Sequence, residues 1–241
     1  MSERAFVDLH THSSASFDSL AAPASLVRAA HARGLTHLAV TDHDRIDGAL
    51  RARDAAPPGL TVIVGEEVRT ADGDLICLFL ERAVPPGLPA RETIAEVRAQ
   101  GGLVGIPHPF DRHRNSLLRE ASLGSLAREV DWIEGHNARL IGGGNERAAL
   151  LARDQGLPAI AVSDAHSTIE VGVAYTILAG DPSTPAGLLA ALPSAELVPG
   201  RASYLVRGLT PVAKLIQRAR GNGRVVPASR GADDGEPRGA R

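Results

Sequence analysis

The chain has 241 residues, 44% of them hydrophobic, with a formal net charge of −2 and one cysteine, Cys77. That length supports one large domain or two small ones, and the charge gives no global pull toward nucleic acid or an anionic membrane. One cysteine excludes an intrachain disulfide and a thiolate metal cluster, no apolar run is long enough for a membrane span, and the start lacks a signal-peptide core, so a cytoplasmic protein is expected.

Phe6, Val7 and Leu9 read as a strand leading into His10-Thr11-His12. A polar loop with Asp18 follows, then a helix with Pro23 in its first turn and Gly34 as its stop. Leu35–Val40 is a strand ending in Thr41-Asp42-His43-Asp44. A helix over 44–55 is stopped by Pro57-Pro58. A strand over 60–64 ends at Gly65-Glu66-Glu67, and a turn at 71–73 leads into a strand over 75–80, a candidate hairpin. A helix over 90–100 precedes the strand Leu103–Ile106, which ends at Pro107-His108-Pro109. After an Arg-rich loop, a weak helix near 120–128 leads to a strand over 130–134, ending in Gly135-His136-Asn137. Asn145 is placed to N-cap a helix that Gly156 ends. The strand Ala159–Val162 ends in Ser163-Asp164-Ala165-His166. A strand over 171–178, a short helix over 184–191 and a final helix carrying Val212, Leu215, Ile216 and Ala219 complete a single domain over 1–220. The Gly-, Pro- and charge-rich residues 221–241 are expected to form a disordered tail.

This alternation implies an α/β fold with a largely parallel sheet. His10, His12, His43, Glu67, His108, His136, Asp164 and His166 all fall at C-terminal strand ends. In a barrel those ends ring one face; in an open sheet they would be strung out along an edge. Residues two apart on extended chain point the same way, so His10/His12 and Asp164/His166 can each grip one point in space. Nitrogen and oxygen donors suit zinc, manganese or iron. With Asp18 the set is too large for one ion, which points to two or three divalent metals with Glu67 able to bridge; Glu66 should face the other way.

His10-Thr11-His12, Thr41-Asp42-His43, Gly65-Glu66-Glu67, His108-Pro109 and Ser163-Asp164-Ala165-His166, in this order, resemble the PHP (polymerase and histidinol phosphatase) family over roughly residues 5–180. The resemblance implies a distorted seven-stranded β/α barrel whose two or three metals hydrolyse phosphoesters. It implies one metal on His10, His12, Glu67 and Asp164, a second on Glu67 and His108, and a third on Asp18, His43 and His166. Many members carry a further histidine on the strand after the glutamate. Here Ile76-Cys77-Leu78 takes that place, with Cys77 read as a buried inert thiol. The second metal therefore lacks a ligand that His113 or His136 could supply.

Arg112, Arg114, Arg139 and His136 are candidate substrate contacts, because guanidinium binds phosphate through paired hydrogen bonds. Arg224, Arg230 and Arg238 are read as solvated. Divalent ions outweigh the three ligand carboxylates, so the site should take an anion and a hydroxide. The expected reaction is in-line attack of a metal-bridging hydroxide on a small phosphomonoester, such as a nucleotide or an amino-alcohol phosphate. Alternatives are hydrolysis of a cyclic phosphoester or amide, or a non-catalytic metal-stabilised module. Substrate, metal identity and oligomeric state stay open.

Overall fold

The structure, a computed structural model, describes residues 4–111 and 125–226. Nine strands among the described residues form one sheet. They are β1 (Arg4–Asp8), β2 (His37–Val40), β3 (Thr61–Arg69), β4 (Asp74–Leu78), β5 (Leu103–Ile106), β6 (Trp132–Asn137), β7 (Ala159–Val162), β8 (Tyr175–Ala179) and β9 (Glu196–Val198). The helices are α1 (Pro23–Ala32), α2 (Asp47–Asp54), α3 (Ala90–Arg98), α4 (Gly144–Gln155), α5 (Pro185–Ala191), α6 (Tyr204–Arg207) and α7 (Leu209–Ala219). No helix among the described residues is long and apolar enough to cross a membrane.

The strand order is β7-β6-β5-β4-β3-β2-β1-β8-β9. β1, β2 and β3 run parallel, as do β5, β6 and β7. β4 runs against β3, because four residues between them are too few for a crossover, and it also runs against β5. The sheet nearly closes where β7 meets β8. There the Thr176 hydroxyl donates to Ala161 O and accepts from Ala161 N–H, standing in for a backbone ladder. The barrel class is as expected, but the sheet has nine strands rather than seven: β8 pairs antiparallel with the open edge of β1, and β9 adds to β8.

One apolar cluster fills the barrel, with Val7, Leu9, Ile63, Ile76, Leu103, Trp132 and Ile160 among its members. Gly105 makes room for Trp132, since a Cβ there would lie 2.1 Å from the indole ring. A second cluster, including Leu26, Val27, Ala49, Val64, Cys77 and Val97, packs helices on the outside. Cys77 pairs with Glu66 and Ile76 with Glu67 in the β3–β4 register. Successive strand residues face opposite sides, so Glu67 points into the barrel and Glu66 and Cys77 point out.

Three local expectations are corrected. Asn145 lies inside α4 rather than capping it; its side-chain oxygen instead accepts from Asn137 N–H at 2.9 Å. β3 continues through Glu66 and Glu67 to Arg69, because its partner β4 supplies the ladder that far. Residues 221–226 of the expected tail are docked: Asn222 Nδ2 donates to Ala15 O at 3.0 Å, and Arg69 donates to Val225 O at 2.9 Å. The weak helix near 120–128 falls mostly outside the described residues, as do residues 227–241.

Candidate metal centre

His10 leaves β1 with its ring inside the barrel mouth. Its Nδ1–H donates to Glu134 Oε1 at 2.6 Å, which fixes the tautomer and turns Nε2 toward the cavity. There Nε2 lies 3.0 Å from His12 Nε2 and 3.2 Å from Glu67 Oε2. His12 Nε2 is 3.3 Å from the same glutamate oxygen and 3.5 Å from Asp164 Oδ1, which is 3.7 Å from His10 Nε2. Four donors on one small cation at about 2.1 Å stand about 3.4 Å apart, so these spacings match a tetrahedron's edges. Lone-pair atoms gathered this closely in a dry interior repel one another unless a proton or a cation lies between them. The donor set and its spacing therefore fit a metal.

Two further groups adjoin the first. His108 Nε2 reaches the other Glu67 oxygen, Oε1, at 3.1 Å. Asp18 Oδ2 lies 3.3 Å from His43 Nε2 and 3.3 Å from His166 Nε2. Ligand atoms fall within 4.8 Å of one another in three sets: His12, Asp18, His43, His166; His10, His12, Glu67; and His10, His108, Asp164. All eight residues expected as ligands are thus brought together, with His12 shared by two sets and His10 by two. The sets overlap: His12 also joins the Asp18 set, and His108 groups with His10 and Asp164 as well as touching Glu67.

Local structure explains the convergence. Thr11 bridges Ala165, just past the ends of β1 and β7, and His43, just past β2, bridges Glu67 of β3, each as one isolated parallel pair. Ser19 Oγ holds the His12 and His166 carbonyls, both at 2.9 Å. Asp42 accepts from the Ser13 N–H and hydroxyl, and Gly48 leaves space for that carboxylate, since a Cβ would lie 1.9 Å from it. Asp8 accepts from Ser163 N–H and Gly172 N–H, both at 3.0 Å, and so ties β1 to the Asp164 loop. His108 and Asp164 both adopt positive φ, 26° and 53°. Backbone strain of this kind persists where surrounding contacts over-determine it.

The charges are strongly coupled. Burial would raise Asp18 and Glu67, yet neighbouring imidazoles hold both well below the usual carboxylate range: His43 and His166 for Asp18, His43 and His10 for Glu67. Burial opposes protonation of His43, but Glu67 and Asp18 raise it to about 9. Burial pushes His166 down to about 3. Its Nδ1–H donates to Asp164 O at 2.9 Å, which aims Nε2 at Asp18.

Several expected residues lie elsewhere. His136 turns away from the cluster: the β6–β7 register slips between Glu134 and His136, so the two no longer share a face. Its Nε2 reaches Gly200 O at 2.8 Å and its Nδ1 faces Asn145, beside a separate cavity of about 120 Å³. Arg139 is buried against Glu170 and Thr210, which occupies the guanidinium expected to meet substrate. Arg112, His113 and Arg114 lie outside the described residues. Arg224, read as solvated, instead covers the Phe17 ring at 5.2 Å.

Two acids were passed over in the sequence. Glu134 also accepts from His108 N–H and Asn137 Nδ2, both at 2.9 Å, so one carboxylate orients two ligands. Its place at a strand end was the available signal. Asp74 is buried on the face of β4 that Ile76 shares with Glu67. Burial and the nearby Glu67 charge raise its pKa, while His43, His108 and Arg224 oppose the rise. Period-two counting back from Ile76 would have found it. Beside the cluster, a cavity of about 450 Å³ shares Asp18 and His166 and is otherwise walled by α1, the 167–170 loop, α6 and α7.

The sequence profile of the PHP domain matches residues 8–126, and that of the PHP-associated segment matches residues 142–197. An uncharacterized protein of Methanocaldococcus jannaschii is 36% identical over 94 residues, covering 39% of this chain and 55% of its own length. A second from the same organism is 32% identical over 173 residues, covering 70% of this chain and 68% of its own length. An error-prone DNA polymerase of Dechloromonas aromatica is 33% identical over 199 residues, covering 70% of this chain and 19% of the polymerase. The fold is similar to a two-domain Bacteroides vulgatus protein containing a predicted PHP-like metal-dependent phosphoesterase, with TM-score 0.71 at 21% identity, over 83% of this chain and 66% of that one. It is also similar to a lesion-specific endonuclease from Pyrococcus furiosus, with TM-score 0.58 at 16% identity, over 81% and 58%. The ordered motifs, the barrel and the profile matches agree: the chain belongs to the PHP domain family.

Proposed function

We propose that this chain is a metal-dependent phosphoesterase acting on a phosphomonoester of a small molecule. The observation that carries the reading is the chain of donor sets linked through His10, His12 and Glu67, which is spaced for more than one cation in a single mouth. Divalent ions bound there supply hydroxide at neutral pH, by lowering the pKa of water to about 7, and positive charge for the phosphate oxygens. The protein's own part is to fix the donors. Glu134 holds the His10 tautomer, Asp164 O holds that of His166, and the Ser16 hydroxyl donates to Asp18 at 2.7 Å. The cavity of about 450 Å³ beside Asp18 and His166 has room for the organic part of a small substrate.

Chelation should abolish cleavage of an aryl phosphate, and Mn, Zn or Fe added back should restore it, with elemental analysis giving the ion count. Cleavage that ignores the chelator would overturn the reading. The fold shared with an endonuclease gives a second reading, hydrolysis of a nucleic-acid phosphodiester. A panel pairing mononucleotides with labelled oligonucleotides separates the two.

A further inference from the structure

The cavity of about 450 Å³ reaches two candidate ligands, Asp18 and His166, and its remaining walls decide what it can hold. One wall is α7. Leu209, Val212 and Ala213 stand at i, i+3 and i+4, so one face of that helix lines the cavity. Leu20, from the loop that carries Asp18, and Val206 of α6 extend the apolar lining. Leu20 is 41% exposed, Leu209 54% and Val212 49%. One large apolar side chain open to water is ordinary, but several around one concave surface mark a binding site. The wall is also fixed in place: Gln217, one turn beyond Ala213, donates through Nε2 to the Ser14, Ser16 and Ser19 carbonyls.

The polar side chains around the cavity are engaged by the protein. Thr210 Oγ1 accepts from Arg139 Nη2 at 2.6 Å, and the same guanidinium pairs with Glu170. Glu170 Oε2 also accepts from the His166 N–H at 3.0 Å and the Ser167 hydroxyl at 2.9 Å. Ser25 Oγ accepts from Arg28 at 3.0 Å. Asp18 belongs to the metal cluster and Glu170 to Arg139, which leaves neither for a substrate cation. Among the described residues, no Lys or Arg lines the cavity to meet a second anion, and no Phe, Tyr or Trp lines it to stack a nucleobase. Aliphatic walls with their polar neighbours already paired favour an aliphatic occupant, because a polar one would lose its water without gaining a partner.

We propose that this cavity holds the alcohol portion of the substrate and selects an uncharged aliphatic group, so that the chain hydrolyses phosphomonoesters of apolar alcohols. This rests on the phosphoesterase reading and narrows its substrate class away from nucleotides and amino-alcohol phosphates.

The test measures kcat/KM of the metal-loaded protein for straight-chain alkyl phosphates from methyl to hexyl, for the ω-amino counterpart of hexyl phosphate and for adenosine monophosphate. The alkyl series should rise about threefold per methylene until the cavity is filled, as burial of each CH2 predicts. Hexyl phosphate should exceed the other two at least about tenfold. Leu209→Ser and Val212→Asp, at half-exposed helix positions, should each cut the hexyl-to-methyl ratio about threefold or more. A flat series, a preference for the amino compound or the nucleotide, or a ratio that neither variant moves would overturn the proposal. So would sedimentation showing a wild-type dimer that either variant splits, because that assigns the apolar face to a second copy. If no phosphomonoester is cleaved, the phosphoesterase reading falls, and calorimetric titration with hexyl- and methylphosphonate decides the pocket alone. Tighter binding of the hexyl compound that Val212→Asp removes supports it, and equal binding of the two overturns it.

Discussion

At the scale of single residues, two adjacent glutamates show how one strand assigns opposite roles. Glu67 faces the metal cluster, where His43 and His10 hold it ionised. Glu66 faces the outer core, accepts the Val84 N–H at 2.9 Å, and is raised by burial to about 8. Its folded pKa exceeds its unfolded one, so the native state binds the extra proton. That contribution is complete below about pH 4.5 and is lost as pH rises toward 8. Glu66→Gln should therefore leave stability nearly unchanged at pH 4 and raise it by roughly 1–3 kcal/mol at pH 8, as read from denaturant midpoints across pH. Glu134 tests the orientation of the ligands: Glu134→Gln should weaken the tightest-bound metal roughly 10–100-fold while the fold persists, measured by competition with a chelating dye.

At the scale of elements, the cluster depends on how strands and loops approach one another. Gly105 on β5 is the point where β6 delivers Trp132 into the barrel. Gly105→Ala should cost about 1–3 kcal/mol or more, because the indole sits in a filled interior; thermal unfolding checks it. The α7 contact is polar instead. Gln217 Nε2 reaches the Ser14, Ser16 and Ser19 carbonyls of the Asp18 loop, and Asn222 Nδ2 also donates to the first two, so Gln217→Leu should strand mainly Ser19 O and cost about 1–3 kcal/mol. It should also loosen the metal held by the Asp18 set, which titration of the variant would show as one weakened ion with the others unchanged.

For the whole molecule, the mouth gathers five imidazoles and at least four carboxylates into a space with almost no water contact. Ions that bind only the folded state stabilise it by mass action, about 4 kcal/mol at a thousand times Kd. Removing them by chelation should lower Tm by about 10 °C in a chain of this size, by differential scanning calorimetry. All eight candidate ligands were readable from the chain, because each is a His, Asp or Glu just after an apolar strand or, for Asp18, in the first such loop. The β/α alternation was readable too, since period and punctuation are local properties. Strand count, register and the partners of each side chain were not. The β6 slip that removes His136, the ion pair that occupies Arg139 and the docking of Arg224 over Phe17 all join residues far apart in sequence. The sequence by itself determined which atoms could bind metal and at which end of the strands they sit, because side-chain chemistry and strand periodicity are written residue by residue. Only the tertiary structure decided which donors lie within reach of one another and which acids orient them, because closing a barrel sets those distances through contacts that no local pattern encodes.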